Sequence, residues 1–256
     1  KPLGLEVRRL GTAEAARPLP VLYGQNRIGV TFISNAFDQV ALPVTYSSKG
    51  GDFTMGYNYY CSFAALVCAG PMDELVAVYF DDRLVWQGSA ARSNDPVYSD
   101  ITIEGFGGLR IYWGTESQDI DTTLATLATG TVVAPNEAED HPAYRGQCYI
   151  VCANVLLGYN RTQAPNIELV VNRYPDSAWL TSMTPSYVGS DAAVAAIILE
   201  LMTNKRYGLG IEDSADLFDR TGMLQFHQDL AGQAIGLSPI FSRGQPAVND
   251  LADLLA

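Results

Sequence analysis

The pattern of apolar and polar positions changes period once along the chain. Up to residue 174 apolar residues tend to recur at every second position, the spacing of strands whose side chains alternate between two faces. Tyr57, Tyr59, Cys61 and Phe63 form the clearest such run. Strands are expected at 19–23 and 27–34 around a Gly24-Gln25-Asn26 turn, and at 75–80 and 84–86 around an Asp81-Asp82 hairpin. Further strands are expected at 109–113, 147–153 and 166–173. Polar stretches at 47–52 and 88–100 read as loops, Gly70-Pro71-Met72-Asp73 reads as a turn, and 119–138 has room for a short helix.

From residue 190 onward the period becomes that of a helix. Val194, Ile197, Ile198 and Leu201 fall on one stripe behind Ser190 as an N-cap, and Asn204 and Gly208 stop the run. Ser214 and Asp219 are further cap candidates for a second helix over 221–234, with Met223, Phe226 and Leu230 as its buried face and Gly236 beyond its end. A last helix is expected from Val248. Strands followed by helices make the expected fold α+β, mainly β, with a small helical region after the strands; no solenoid-length repeat is visible. The chain divides into an arm or linker at 1–18, a β-rich part at 19–174, a Pro- and Gly-bearing linker at 175–189 and the helical part at 190–256.

Composition narrows the functions open to such a fold. At 256 residues the chain can bury roughly 75% of its unfolded surface without disulfides or metals. Its charged fraction is 17%, against about 25% for a typical soluble domain. Surface short of charge is surface suited to another subunit. The net charge of −12 argues against gripping a phosphate backbone, while leaving open a negative lumen past which DNA slides. The most apolar helical run, 192–202, is too short to cross a bilayer and contains Glu200. Asp250–Ala256 closes the chain on an apolar helical pattern without a cap, so the chain is expected to be a segment of a longer polypeptide.

Candidate chemistry is sparse. The two histidines, His141 and His227, sit in no nucleophile signature, and G-x-S-x-G is missing. His141 stands beside Glu137, Glu139 and Asp140, which reads as an acidic loop before a strand in preference to a metal or acid–base cluster. His227 is expected on the exposed or boundary side of its helix. The carboxylate pairs Asp73/Glu74, Asp81/Asp82 and Glu212/Asp213 read as turns and solvated faces, since adjacency does not supply the separation a glycosidase needs. Gly105–Gly108 lacks the lysine of a phosphate loop. The four cysteines, Cys61, Cys68, Cys148 and Cys152, match no common zinc or redox spacing and are read as free buried thiols. Neither catalysis, a cofactor nor a metal is expected. The tyrosines, clustered at Tyr57, Tyr59 and Tyr60, suit an interface or a carbohydrate contact, or a sheet core with hydroxyls at its rim.

Four stretches, in order, resemble the tail-tip or baseplate hub proteins of long-tailed bacteriophages and the hub of gene transfer agents. The first is Leu19-Pro20-Val21-Leu22-Tyr23-Gly24 with Arg27 and Gly29. The second runs through Cys68-Ala69-Gly70-Pro71 to Asp81-Asp82-Arg83-Leu84. The third is Ile111-Tyr112-Trp113-Gly114-Thr115-Glu116, then His141-Pro142-Ala143-Tyr144-Arg145-Gly146 and a strand around Pro165-Asn166-Ile167-Glu168. The fourth is Leu201-Met202-Thr203-Asn204-Lys205-Arg206-Tyr207-Gly208-Leu209-Gly210. One departure stands out: Asn160-Arg161 is separated from Pro165 by three residues, a longer loop than relatives carry.

The resemblance implies β-barrel-like hub domains forming a pseudo-hexameric ring as a homotrimer, at the tail tip of a virion assembled in the bacterial host cytoplasm. It implies a distal-tail ring, a tape-measure protein and a tail fibre or tip extension as partners. The helical part at 190–256 would then open a further hub domain. The structural or interface candidates are Arg27, Tyr57, Tyr59, Tyr144, Arg145, Gly146, Arg206, Tyr207 and Gly208. Arg145 is expected to reach a carboxylate or carbonyl of a neighbouring strand or subunit, Arg206 the last carbonyls of its helix, and Gly208 a positive φ. Two other readings remain: a carbohydrate-binding β module using the tyrosines, and a tail-associated cell-wall hydrolase.

Overall fold

In the computed structural model, residues 18–34, 37–93, 95, 97–129, 142–161, 166–175, 185–212, 218–241 and 249 are described. The expected arm up to residue 17, the acidic residues with His141, the loop residues 162–165, residues 176–184, Ser214 and nearly all of the last helix lie outside them.

The spine is β5 (Gly51–Ala69), lined on one edge by β10 (Gln147–Tyr159). Its other edge carries β4 (Phe37–Ser48), β3 (Thr31–Phe32) and β1 (Val21–Leu22) end to end. Beyond β10 the sheet continues into β9 (Gly107–Tyr112) and β8 (Tyr98–Ile103), and beyond β1 into β15 (Ile240–Phe241). A second sheet has the order β2 (Gly24–Gly29), β11 (Ile167–Arg173), β6 (Glu74–Phe80), β7 (Arg83–Ala91). Phe63, Leu109, Ile111 and Ile150 of the first sheet meet Leu75, Val78, Leu169 and Val171 of the second in one core. Full burial of each such side chain contributes about 1.5–3 kcal/mol.

The fold is therefore α+β, mainly β, as the pattern predicts. The barrel is not formed: among the described residues both sheets keep free edges and pack face to face. The Asp81-Asp82 hairpin is as expected. Both residues take positive φ, 47° and 63°, the two-residue turn whose twist matches its strands.

Four local readings are corrected. Gly24-Gln25-Asn26 is not a hairpin turn but the passage from β1 in one sheet to β2 in the other. Gly24 turns there at φ +69°, and a side chain on it would meet the Ala192 backbone at 3.0 Å. The 47–52 loop is only the tip of a long hairpin whose first strand, β4, contains Pro43 and carries exposed apolar residues, so its pattern does not read as a half-buried strand. The 88–100 loop largely belongs to β7 and β8, polar because they are edge strands. Ser190 does not cap the helix: it turns the chain between β12 (Tyr187–Val188) and β13 (Asp191–Ala193), which pair with β14 (Gly236–Leu237) in a small third sheet.

Helix α1 (Thr122–Thr129) starts on Asp121, whose carboxylate accepts from the Leu124 amide. Helix α2 (Val194–Thr203) follows β13 directly and is buried all round over 194–201, not along one stripe. Ile197 and Leu201 pack with Val21 and Tyr23 of the first sheet's end, while Ala195, Ala196 and Leu199 pack with Phe218 and the third helix. That helix, α3 (Arg220–Gly232), is capped by Asp219 as expected. Its inward face is rotated from the expected one: His227 is buried and Phe226 is exposed. Burial lowers the His227 pKa. Among the described residues no helix is long and apolar enough to cross a membrane.

Candidate functional site

The last residue of β11, Arg173, is fully buried. A buried guanidinium needs partners to offset its desolvation, and three elements supply them. Nη1 donates to the Leu22 carbonyl of β1 at 2.7 Å, and Nη2 donates to Glu200 of α2 and to the Tyr207 hydroxyl, each at 2.6 Å. The Tyr207 hydroxyl in turn donates to Glu200. Tyr23 lies with its ring 4.8 Å from the guanidinium carbon. Burial by itself would lower the Arg173 pKa, but the Glu200 carboxylate, with Tyr207 and Tyr23, outweighs it and keeps the cation charged. Burial raises the pKa of both tyrosines.

Over this cluster lies a cleft of about 410 Å³ lined by Gly70, Pro71, Glu116, Glu200, Arg206 and Tyr207, among others. Its walls are the sequence stretches singled out above, brought together from distant parts of the chain. Arg206 donates from Nη1 to the Arg145 carbonyl at 2.6 Å and from Nη2 to Glu116 at 2.8 Å. It thus bridges two loops and does not meet its own helix's carbonyls. Arg145 donates from Nε to the Gln118 carbonyl at 3.0 Å, with Asp119 at 4.0 Å, so it braces a loop of its own chain.

Gly146 has φ +71°, and a side chain on it would land on the Arg206 guanidinium. Gly70, at φ +78°, leaves room for Arg173: a Cβ there would stand 2.6 Å from Nη2. Gly208 does not use a positive φ; Gly210 does, at +66°. Gly208 is required instead because a Cβ there would stand 2.7 Å from the Asn204 carbonyl oxygen and closer still to that of Leu201.

The remaining candidates sit elsewhere. Tyr144, at φ +49°, packs against Tyr149 with centroids 5.2 Å apart. Arg27 donates to Glu168 at 2.6 Å and to Asp82 at 2.9 Å, with its guanidinium over Tyr79. Tyr59 is buried in the sheet core, and Tyr57 and Tyr60 are half-buried.

Three central residues escaped the sequence reading. Arg173 looked like the polar end of a strand, and Glu200 was noticed only as a charge in an apolar helix. Gln118 is wholly buried, its amide nitrogen donating to the carbonyls of Ala143 at 2.7 Å and Tyr144 at 2.9 Å while its oxygen accepts from the Gly114 amide at 2.9 Å. The cluster has the chemistry of a structural joint, tying α2 and the 204–208 turn to both sheets. Among the described residues no three His, Cys, Asp or Glu side chains gather where they would hold a metal.

A second surface is the tip of the β4–β5 hairpin. β10 ends against it at Tyr159, which pairs with Asn58, so residues 44–56 continue as a two-stranded ribbon. Tyr46 is 61% exposed, Phe53 57% and Met55 66%; Leu42 and Tyr159 are half exposed beside them.

No protein-family model matches this sequence, and no curated protein matches it. Among solved structures the chain is similar to a chain of the "Virion of native gene transfer agent (GTA) particle", at 17% identity and a TM-score of 0.44. The similarity covers 90% of this chain and 52% of the other, so the chain spans about half the length of the structure it matches.

Proposed function

We propose that this chain is a structural subunit of a phage-type tail tip, a hub that closes the tail tube and joins it to a fibre or receptor-binding tip, without catalysis of its own. The observation that carries the reading is the β4–β5 ribbon. A two-stranded hairpin is marginal alone in water, and this one displays Tyr46, Phe53 and Met55 in a chain already short of charge. Such a surface suits burial against another subunit. The four hub-like stretches support the assignment, three of them meeting around one cleft. On this reading the chain assembles as a homotrimer with a distal-tail ring, a tape-measure protein and a fibre or tip extension as partners. Residues 19–174 serve as the tube-matching part and 190–256 as the start of a further hub domain.

Low-resolution imaging of intact tails with a labelled chain tests the proposal. Three copies at the end of the tube are expected. Six copies would make it a distal-tail ring, and no label on the particle would overturn the reading.

A further inference from the structure

We propose that Cys68 and Cys148 are a redox-active pair that closes into a cross-strand disulfide when a small disulfide compound reaches them through the cleft above Arg173. Cys148 of β10 is the direct antiparallel partner of Cys68 of β5. Directly opposed residues in such a ladder have Cα atoms about 4.5–5.5 Å apart, inside the range of about 4.4–6.8 Å that a disulfide spans. The two side chains face the same buried core, where the Cys148 thiol donates to the Met72 sulfur at 4.0 Å.

The cleft lies next to the pair. Cys68 lies two residues before Gly70, and Cys148 two residues after Gly146, both in the cleft wall. A side chain on Gly114, also in that wall, would stand 2.9 Å from the Cys148 amide nitrogen. The strand ends that bear the two fully buried thiols thus run directly behind the cleft wall. Thiol–disulfide exchange at such a pair needs one cysteine to attack and the other to close the bond.

The exchange balances without a further reagent. One of the two cysteines, as its thiolate, attacks one sulfur of a glutathione-type disulfide, breaks its S–S bond and releases one thiolate. The other cysteine then loses its proton to that leaving group and attacks the protein sulfur of the mixed disulfide, releasing the second. Two protein thiols are oxidised and the small disulfide is reduced to two thiols. The other two cysteines, Cys61 and Cys152, are buried farther along the same strands, away from the cleft.

The test is to incubate the folded full-length protein with oxidised glutathione, then unfold, alkylate and map peptides by mass spectrometry. Two of the four cysteines should escape alkylation, linked as Cys68–Cys148, and a reductant should restore them. Cys148→Ser and Cys68→Ser should each abolish the link, leaving at most a glutathione adduct on the remaining member of the pair. Cys148→Ala and Cys68→Ala serve where a buried hydroxyl unsettles the fold. Four alkylated cysteines, a link through Cys61 or Cys152, or closure only after denaturation would each overturn the proposal.

Discussion

The guanidinium of Arg206 occupies the space that a side chain on Gly146 would need. Each residue was singled out in its own sequence triplet, and the structure makes them a single fitted contact. Gly146→Ala should destabilise the fold by about 1–3 kcal/mol, through the left-handed backbone and the displaced arginine. In an Arg206→Ala background the same change should cost less, since only the backbone strain remains. Urea unfolding midpoints of the four proteins in this cycle check both statements.

The buried pair of Arg173 and Glu200 sets up a sharper contrast. Glu200→Ala leaves the guanidinium without its carboxylate and should cost about 3–5 kcal/mol. Replacing both residues together with methionine should cost less than Glu200→Ala alone, because no charge is then left stranded. Chemical denaturation would show it, and a double variant less stable than the single one would contradict the account of this cluster as an ion pair.

The ribbon should separate folding from assembly. Serine at Tyr46, Phe53 and Met55 removes exposed surface, so each stability change should stay within about 0.5 kcal/mol. Incorporation into tails should fall sharply. Thermal melts together with quantitation of the chain in purified particles would read the two effects, and normal incorporation would remove the ribbon from the interface.

His227 introduces a pH dependence of definite sign. Burial depresses its pKa in the folded state below the ordinary 6.5, so the unfolded chain binds the proton more readily. The contribution is fully present above pH 6.5 and is lost as pH falls through the folded-state value. His227→Leu should flatten that part of the stability profile, measured as melting temperature against pH.

Much of this architecture could be read from residue pattern. The alternation at Tyr57, Tyr59, Cys61 and Phe63 marks the spine, and Asp81-Asp82 marks a hairpin, because both signals are local. Edge strands were harder: the outer half of β7 is made of small and polar residues, and β8 alternates only over Asp100, Ile101, Thr102 and Ile103, too short a run behind polar neighbours to stand out. The arginine triplets were visible as words but not as neighbours, since Arg206 and Arg145 meet only through the packing of α2 on the sheets. Arg173 and Glu200 were hidden for a related reason: each looks exposed in sequence, and burial becomes tolerable only once the other is in place.

The position of Val21 bears on the order in which the molecule can be completed during synthesis. It pairs with Ala69 on one side and with Phe241 on the other. The spine likewise waits for β10, whose residues are translated long after those of β5. A nascent chain therefore holds an apolar, unpaired β5 edge until the ribosome has passed Tyr159, and β1 keeps an open edge until Phe241 has emerged. Pairings so distant in sequence fold slowly and leave strands exposed in the interval. Yield in the host should accordingly respond more to chaperone supply and growth temperature than the stability of the finished fold would suggest.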